Sequence, residues 1–339
     1  LYISRSKLGH SVNAVYVKGL RANNVDVCEL FVNRNEYFDL IRYLFKHRNS
    51  FDTILVGYDS PQLVIFCRLF TRKKIIYNAL CSVYERLIVS RGHASPFSVK
   101  AVYYWLLDFS AVYLADLVIL ESDHQIDYFN NLFKISKYKL YKGWTGVNED
   151  NFYYNPSIPK SEGFTVLFRG AFMPESGVEY AIRAAKVLED NNIKFVIIGG
   201  GILLGKVEKL LEELKPANLE LITDLSYEKL REIMQKCHLS LGQLSDHNRL
   251  TRTIPHKAYE SLAMNIPYLT ASNSGILELL TPDETCLTCD PADAKSLAEK
   301  ILWAQNNYSI VEKIAENSYK LYQDKLRSSI LAKNLLNRI

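Results

Sequence analysis

Short apolar runs alternate along the first part of the chain with longer segments in which apolar residues recur at helical spacing. A short apolar run bounded by turn residues is typical of a buried strand, and the longer pattern is typical of an amphipathic helix. The pattern predicts strands at residues 1–3, 25–32, 53–57, 74–77, 117–120 and 139–141, and helices that include 12–23, 36–47 and 62–69. Strands that alternate with helices indicate a parallel sheet with helices on both faces.

The alternation stops at residues 142–159, where glycine, asparagine and proline indicate a linker. It resumes with predicted strands at 165–169, 195–198, 219–222, 239–241, 268–271 and 286–288, and with helices at 178–189, 203–214, 227–235, around 260, at 276–280 and at 294–305. The sequence therefore predicts an α/β protein with two Rossmann-like parallel-sheet domains, at residues 1–150 and 160–310, and a helical tail at 311–339. Ligands of such sheets bind at the carboxyl ends of the strands.

Residues 249–280 carry the clearest candidate chemistry, and their pattern predicts a loop, a helix, a buried strand, a tight turn and a second helix. Pro255 suits the start of the first helix, where its missing N–H would be unpaired in any case. Glu260 lies inside this helix, and a carboxylate can accept both hydroxyl groups of a ribose diol. The turn at 272–275 would direct backbone N–H groups at an anion above the strand ends.

Two basic residues accompany this carboxylate. Arg252 precedes the helix and Lys257 lies inside it, so both are placed to meet phosphate groups. The alternative is a surface helix with a local ion pair between Lys257 and Glu260, which are three residues apart. Because these charges stand beside a turn suited to anions, we favour a ligand-binding segment.

Composition and charge narrow the range of partners. The 339 residues are 48% hydrophobic and 23% charged, which suits a globular protein with a full core. The net charge is only +4 and no long basic block occurs, which argues against nucleic acid. A mildly basic surface would suit an acidic ligand or the anionic inner face of a membrane. We expect a cytoplasmic protein and leave peripheral contact with a membrane open.

The most apolar region, residues 97–120, approaches the length of a membrane span. Lys100, Asp108 and Asp116 interrupt it, and it divides better into a helix at 99–114 and a strand at 117–120. Among six scattered cysteines, only Cys286 and Cys289 form a CxxC pair, which is weak support for zinc. We favour buried free thiols in a reducing cytosol. The chain begins without Met, and residues 1–4 resemble the end of a first strand, so we expect a longer natural N-terminus.

The stretch IPHKAYESLAMNIPYLTA, followed by SGILELL, resembles the donor-binding segment of the GT-B glycosyltransferases of family 4. That family carries two glutamates with seven residues between them, then a helix of small residues, a proline and a strand. Glu260 matches the second glutamate, which in the family holds the nucleotide ribose, whereas Arg252 occupies the position of the first. Residues 146–152 also resemble the segment that ends the N-terminal domain of the family.

The resemblance implies two domains that face each other across a cleft, with the acceptor side in residues 1–150 and the donor side in residues 160–310. The tail at 311–339 would pack back on the N-terminal domain. The implied activity moves a sugar from a nucleotide-sugar donor, such as a UDP- or GDP-sugar, to a hydroxyl group of a glycan or lipid-linked acceptor. Polysaccharide or glycoconjugate biosynthesis would be the setting. The anomeric configuration would be retained, without a metal ion or a covalent cofactor.

The resemblance and the strand ends together give the candidate site residues. The predicted donor-binding residues are Gly9, Gly170, Gly199, Gly201, Gln243, Arg252, Lys257, Glu260, Ser274 and Gly275. Much of the family neutralises the diphosphate with Arg and Lys at positions that hold Ala171 and Ser176 here, and Arg169 would sit on the strand. We therefore assign that charge to Arg252 and Lys257 as catalytic groups.

The long segment 78–93 adds two candidates for acid–base catalysis or acceptor binding, Glu85 and His93. The alternative for both is a solvated loop residue. The changed charges also leave two rival functions: a non-catalytic nucleotide-sugar-binding partner of another transferase, and a sugar-nucleotide epimerase of the same fold. A phosphorylase would need a lysine-bound pyridoxal phosphate, for which the sequence shows no signature.

Overall fold

The computed structural model of the protein describes residues 1–5, 11–33 and 35–339. The predicted donor residue Gly9 therefore lies outside the described residues. Contacts divide the chain into two compact units. Unit 1 comprises Leu1–Asn148 and Arg327–Ile339, and unit 2 comprises Glu149–Leu326.

Unit 1 contains a six-stranded sheet in which neighbouring strands are parallel, with the order β2-β1-β3-β4-β5-β6. Its strands are β1 (Tyr2–Ser4), β2 (Glu29–Phe31), β3 (Thr53–Val56), β4 (Lys74–Leu80), β5 (Leu117–Leu120) and β6 (Leu140–Lys142). The helices between them are α1 (Ser11–Ala22), α2 (Tyr37–Lys46), α3 (Pro61–Phe70), α4 (Val99–Leu114) and α5 (Asp123–Phe133). The central strands are continuous apolar runs because helices cover both faces of the sheet.

Unit 2 contains a second parallel sheet of six strands, with the order β12-β11-β10-β7-β8-β9. Its strands are β7 (Phe164–Arg169), β8 (Ile193–Ile198), β9 (Leu219–Ile222), β10 (Leu239–Leu241), β11 (Tyr268–Ala271) and β12 (Leu287–Cys289). Its helices are α6 (Val178–Val187), α7 (Leu204–Leu214), α8 (Tyr227–Lys236), α9 (His256–Ala263), α10 (Ser274–Leu277), α11 (Ala294–Asn306) and α12 (Tyr308–Leu321). The predicted α/β architecture with two parallel sheets is confirmed.

The strand order of unit 2 reverses at β7. The chain runs from β7 outward through β8 and β9, and then returns to place β10 on the other side of β7. The helices on the two sides of this reversal diverge, so a crevice opens at the carboxyl ends of β7 and β10. Residues that follow these two strands are therefore in position to meet a ligand.

The C-terminal tail is shared between the two units. Helix α12 and the π-helical turn Tyr322–Leu326 belong to unit 2, whereas the last helix, α13 (Ser328–Leu336), packs against α1 in unit 1. The two helices touch so closely that a Cβ atom at Gly19 would lie 2.0 Å from the carbonyl oxygen of Ser328. Within the predicted tail at 311–339, it is the segment from Arg327 onward that contacts α1.

Most predicted elements have a boundary that differs from the structure by one or two residues, and boundaries of β2, β4 and α10 differ by three or more residues. Strand β2 covers only the end of the predicted run at 25–32, since residues 25–28 hold no strand. Strand β4 continues to Leu80, and the segment predicted as a long loop also contains a π-helical turn, Glu85–Ser90. Side chains 75–80 are all buried, which explains why the strand continues past residue 77.

The cysteines are all free, and five of them are buried, whereas Cys28 is exposed. The expectation of buried thiols therefore fails at Cys28, which lies close to the Tyr43 hydroxyl group. In the part of the chain that the structure describes, no helix combines the length and the apolar character that crossing a bilayer requires.

Candidate functional site

Lys257 occupies the point in unit 2 where the strand order reverses. Its ammonium group donates a hydrogen bond to the carbonyl oxygen of Gly242, directly after β10, at 3.2 Å. It also lies 3.9 Å from the ring centroid of Phe168, in β7. Burial, together with the nearby Arg169 guanidinium, lowers the pKa of Lys257 well below its ordinary value. An anionic group bound at this position would favour the charged form of the lysine.

Helix α9, which carries Lys257, is not a surface helix. Every side chain from Lys257 to Ala263 is buried, because α9 packs on β11, on α12 and on the turn Tyr322–Leu326. The alternative of a surface helix with a local Lys257–Glu260 pair is therefore wrong. The carboxylate of Glu260 instead forms an ion pair with Arg169.

Arg169 is the last residue of β7, and its buried guanidinium group lies 5.4 Å from the ring centroid of Phe152. Burial lowers the pKa of Arg169 to about 10. The Glu260 side chain is only 7% exposed, so the ion pair lies almost entirely in the interior. The pair joins the end of a central strand to the middle of α9 and fixes where the carboxylate lies. The sequence signal for it was a basic residue at the end of the otherwise apolar strand FTVLFR.

Three of the predicted donor glycines, Gly170, Gly199 and Gly201, lie close together after β7 and β8, and Gly170 lies beside Lys257. A Cβ atom at Gly170 would lie 3.6 Å from the Lys257 side chain. Gly199 has a φ of +149°, and a Cβ atom there would lie 2.0 Å from the carbonyl oxygen of Gly170. This close approach admits only glycine, because any side chain would meet backbone atoms. Gly201 packs in the same way on the backbone of Phe172. The structure therefore brings Gly170, Gly199, Gly201 and Lys257 together.

The segments that follow β7 and β10 are fastened to each other. The guanidinium group of Arg249 forms an ion pair with Glu175 at 2.9 Å, and both side chains are largely buried. The Ser245 hydroxyl group donates to the carbonyl oxygen of Glu175 at 3.0 Å. These contacts join the two sides of the crevice rim.

Arg252 belongs to the second of these segments. Its guanidinium group donates to the side-chain oxygens of Asn248 at 3.0 Å and Thr251 at 3.2 Å, so it is held within its own loop.

The buried polar atoms near the crevice without a hydrogen-bond partner among the described residues include the hydroxyl oxygen of Ser176 and the side-chain oxygen of Gln243. Ser176 lies beside the β10 segment, since its carbonyl oxygen accepts the N–H of Leu244. A buried polar atom without a partner costs about 1–3 kcal/mol. A polar ligand or water bound in the crevice would remove that cost.

Ser274 and Gly275 contact the Arg252 loop rather than the β7 end. The Ser274 hydroxyl group donates to the carbonyl oxygen of Thr251 at 3.0 Å. A Cβ atom at Gly275 would lie 2.6 Å from the carbonyl oxygen of Leu250. The N–H groups of Ser272 and Asn273 donate to backbone carbonyls, so the predicted anion-binding turn cannot use those two groups.

The two candidates from unit 1 lie in different environments. Glu85 is fully buried and accepts a hydrogen bond from the side-chain amide of Gln125 at 3.0 Å. The alternative of a solvated loop residue is therefore wrong for Glu85. His93 is exposed.

A further buried carboxylate, Asp108, contacts the same segment, residues 78–93. It accepts hydrogen bonds from the Ser82 hydroxyl group at 2.7 Å and from the N–H of Tyr84 at 2.8 Å. Burial raises the pKa of Asp108 to about 6. Among the described residues, no group of three or more His, Cys, Asp or Glu side chains is placed to hold a metal ion.

Comparison with known families places the match on unit 2. Residues 153–321 match the family described as glycosyl transferases group 1. A curated relative, an uncharacterised glycosyltransferase of Methanocaldococcus jannaschii, is 28% identical over 152 residues, which is 44% of this chain. The match covers 41% of the relative, so this chain corresponds to about two fifths of its length.

Solved structures match the chain as a whole. Sucrose-phosphate synthase from Thermosynechococcus elongatus superimposes with a TM-score of 0.76 at 14% identity, over 99% of this chain and 97% of the synthase. Anabaena HepE, solved in complex with UDP, gives a TM-score of 0.71 at 13% identity, over 99% of this chain and 98% of HepE. At these identities the likeness concerns the fold, and the fold is GT-B.

Proposed function

We propose that the protein is a glycosyltransferase of group 1, family 4, that moves a sugar from a nucleotide-sugar donor to an acceptor hydroxyl group. The observation that carries this proposal is the placement of Lys257, and of the Arg169–Glu260 ion pair, at the strand reversal of unit 2. All three residues lie inside the segment that matches the glycosyl transferases group 1. The nucleotide of the donor would bind at this crevice.

The charges of the site suit a diphosphate leaving group. Negative charge grows on the diphosphate as the glycosidic bond breaks, and a cation held in a dry site stabilises it more than a cation in water. Lys257 is buried next to Gly170, and Arg252 is fixed in the loop before α9. We assign Lys257 to the phosphates in the ground state and Arg252 to the charge that develops in the transition state.

Glu260 would hold the ribose diol, with Arg169 fixing the position of its carboxylate. The amide oxygen of Gln243 and the hydroxyl group of Ser176 would complete the polar lining of the donor pocket. Among the acid–base candidates, His93 is exposed, whereas Glu85 is engaged with Gln125 in the interior. We therefore keep His93 as the candidate group on the acceptor side.

The remaining features of the proposal rest on the resemblance to family 4. They are retention of the anomeric configuration, independence of metal ions, a glycan or lipid-linked acceptor and a cytoplasmic location. Anabaena HepE was solved with UDP and with UDP-glucose. This favours a UDP-sugar as the first donor to test.

The experiment is a calorimetric titration with UDP, GDP and ADP and with one sugar ester of each, on the wild type and on Glu260→Ala. A hydrogen bond to a charged group contributes about 1.5–3 kcal/mol, so the variant should bind the preferred nucleotide roughly tenfold or more weakly. Equal affinity of a folded Glu260→Ala variant and the wild type would remove Glu260 from the site. No binding of any nucleotide would refute the donor-site proposal.

A second candidate, a non-catalytic nucleotide-sugar-binding protein, is favoured by one observation. The positions at which the family carries phosphate-binding cations hold Ala171 and Ser176, and Ser176 is buried. Donor turnover of Arg252→Ala and Arg252→Glu separates the two functions. If Arg252 supplies the missing charge, Ala lowers turnover more than affinity and Glu lowers turnover further. Nucleotide-sugar binding by a wild type that transfers no sugar would favour the non-catalytic function, and a changed sugar in the recovered donor would indicate an epimerase.

A further inference from the structure

Helix α4 in unit 1 is apolar on two opposite faces. Its inner face includes Ala101, Leu107, Ala111 and Val112, which are buried in the unit. Its outer face is a stripe of exposed apolar side chains at helical spacing, which we call the α4 stripe: Val99 (88% exposed), Val102 (53%), Tyr103 (54%), Leu106 (49%) and Tyr113 (63%). Phe97, 96% exposed, extends the stripe beyond the start of the helix.

A helix that is apolar all round is ordinarily covered on all sides. The α4 stripe runs along about 21 Å of the helix axis at 1.5 Å per residue. An exposed contiguous apolar surface of this kind is more often an interaction site than a surface that only contacts water. The question is therefore which partner covers it.

The charges around the stripe favour an anionic surface. Asp108 is the only acidic residue in the sequence from 86 to 114, and it is buried. The basic residues of the same stretch are Arg86, which pairs with Asp59, and Arg91 and Lys100. At the other end of α4, the ammonium group of Lys139 donates to the carbonyl oxygen of Tyr113. The stripe thus has cations at both ends, and the exposed carboxylate just after the helix, Asp116, is paired with Arg68 at 2.6 Å.

We propose that the α4 stripe is a docking surface for an anionic lipid bilayer, with α4 lying in the plane of the interface. An interfacial helix buries an apolar face at the boundary of the acyl chains and keeps its cations among the anionic headgroups. Tyrosine side chains suit that boundary because the ring is apolar and the hydroxyl group stays wet. Lys and Arg can extend toward the headgroups while their stems lie on the apolar surface.

The charge pattern also argues against a second copy of the chain as the partner. Pairing two α4 stripes would bring Arg91, Lys100 and Lys139 of one copy close to the same cations of the other. Like charges across an interface disfavour association. An anionic bilayer can cover the apolar stripe with its acyl chains and pair its headgroups with the cations at the ends of the stripe. This inference does not depend on sugar transfer, since it concerns a surface of unit 1 alone.

The test is sedimentation of the protein with phosphatidylcholine vesicles that contain either no phosphatidylglycerol or a third of it. The wild type should bind the anionic vesicles, and binding should fall as salt rises. Val102→Ser/Leu106→Ser should weaken binding at least tenfold through lost apolar burial, and Arg91→Gln/Lys100→Gln by roughly tenfold through lost charge. Val102, Leu106 and Lys100 are exposed and Arg91 is partly exposed, so circular dichroism should show unchanged folding.

The matched control is Val187→Ser/Ile310→Ser, which removes two apolar side chains of similar exposure from helices of unit 2. It should bind vesicles as the wild type does. Equal binding by the control and by Val102→Ser/Leu106→Ser, or no binding of the wild type to anionic vesicles, would overturn the proposal. A dimer in solution that Val102→Ser/Leu106→Ser dissociates, without vesicle binding, would assign the stripe to self-association instead. None of these outcomes bears on donor binding in unit 2.

Discussion

The ion pair between Arg169 and Glu260 shows how a single side chain can be fixed by a residue far away in sequence. Both side chains are buried, so removing one leaves an uncompensated charge in the interior. Such a loss costs about 3–5 kcal/mol, whereas replacing both partners with apolar residues can be nearly neutral. The pair is therefore better understood as a device that positions the carboxylate than as a source of net stability.

We expect Arg169→Met to lower the free energy of unfolding of unit 2 by about 3 kcal/mol, and Arg169→Met/Glu260→Met to recover most of that loss. Urea denaturation of the wild type, the two single variants and the double variant measures the coupling. A double variant whose loss equals the sum of the two single losses would show that the side chains do not interact. In nucleotide titrations, the Arg169→Met variant should bind a 2′-deoxynucleotide almost as tightly as the corresponding ribonucleotide. The reason is that Arg169 would no longer hold the Glu260 carboxylate in place.

The sequence alone could single out Glu260 but not its partner. The helix pattern and the neighbouring charges mark Glu260 as a candidate, and its nearest opposite charge in sequence is Lys257. The true partner depends on which strand ends beneath α9, which is a matter of sheet order. The spacing of residues along the sequence does not reveal the order of the strands in the sheet. The ribose role of Glu260 itself stays a prediction.

Asp108 carries a pH-dependent contribution to stability. Burial raises its pKa from the ordinary value of 3.8 to about 6, against the opposing effects of Ser82, two backbone N–H groups and Arg86. Because the folded protein binds this proton more tightly than the unfolded chain, stability falls as pH rises from about 4 to 6 and is level above that range. The shift corresponds to about 3 kcal/mol.

Asp108→Asn removes the charge that burial penalises. The free energy of unfolding of this variant, measured relative to that of the wild type, should be about 2 kcal/mol more favourable at pH 7.5 than at pH 4.5. Urea denaturation of both proteins at the two pH values gives this difference, from which all other titrating groups cancel. A difference that does not change with pH would mean that Asp108 titrates normally.

At the level of secondary-structure elements, helix α10 acts as a support for the loop before α9. Gly275 has backbone atoms of Leu250 and Thr253 within 2.6–2.8 Å of the position where a Cβ atom would lie. The Ser274 hydroxyl group holds the same segment through Thr251. The loop that carries Arg252 is therefore positioned from the outside by α10.

Gly275→Ala should force α10 away from this loop, lowering the free energy of unfolding by about 1–3 kcal/mol. If Arg252 acts in catalysis, donor turnover should fall more than nucleotide affinity. The matched control is Gly205→Ala on α7, where the added methyl group meets open space and alanine favours the helix. Thermal denaturation and turnover of the two variants test the argument. Equal behaviour of both variants would show that the contact around Gly275 does not constrain the loop.

The elements themselves were largely predictable, and the exceptions have local causes. Strands β5, β9, β10 and β11 have the predicted bounds, because each apolar run ends at a polar or turn residue, and helix α4 also has its predicted bounds. Strand β4 runs past its predicted end, since the residues that follow are buried although Asn78 is polar. Residues 25–28 resemble a strand by composition, yet pairing with β1 begins at Glu29. Pairing partners decide such boundaries, and composition does not reveal them.

At the scale of the whole molecule, the chain passes from unit 1 to unit 2 after Asn148 and returns after Leu326. Unit 1 is consequently completed only by the last residues of the sequence. In its core, Leu335 and Ala332 of α13 are fully buried among residues of α1 and the sheet, including Tyr16 and Val17. A substitution that destabilises α13 should therefore also destabilise α1, which lies more than 300 residues earlier in the sequence. It should not destabilise α12, which precedes α13 along the chain.

Leu335→Ala tests this connection, with Ile339→Ala as the control because Ile339 is 41% exposed. Truncating a buried leucine costs about 2–5 kcal/mol. Opening of unit 1 should become more frequent, so hydrogen exchange measured by mass spectrometry should speed up in α1 and in β1. Exchange in α11 and α12 should stay as in the wild type, because those helices pack in unit 2. Faster exchange in α12 with unchanged exchange in α1 would mean that the tail stabilises the unit beside it in sequence. The expected pattern instead follows from packing, since α13 contacts α1 and contributes its buried side chains to the core of unit 1.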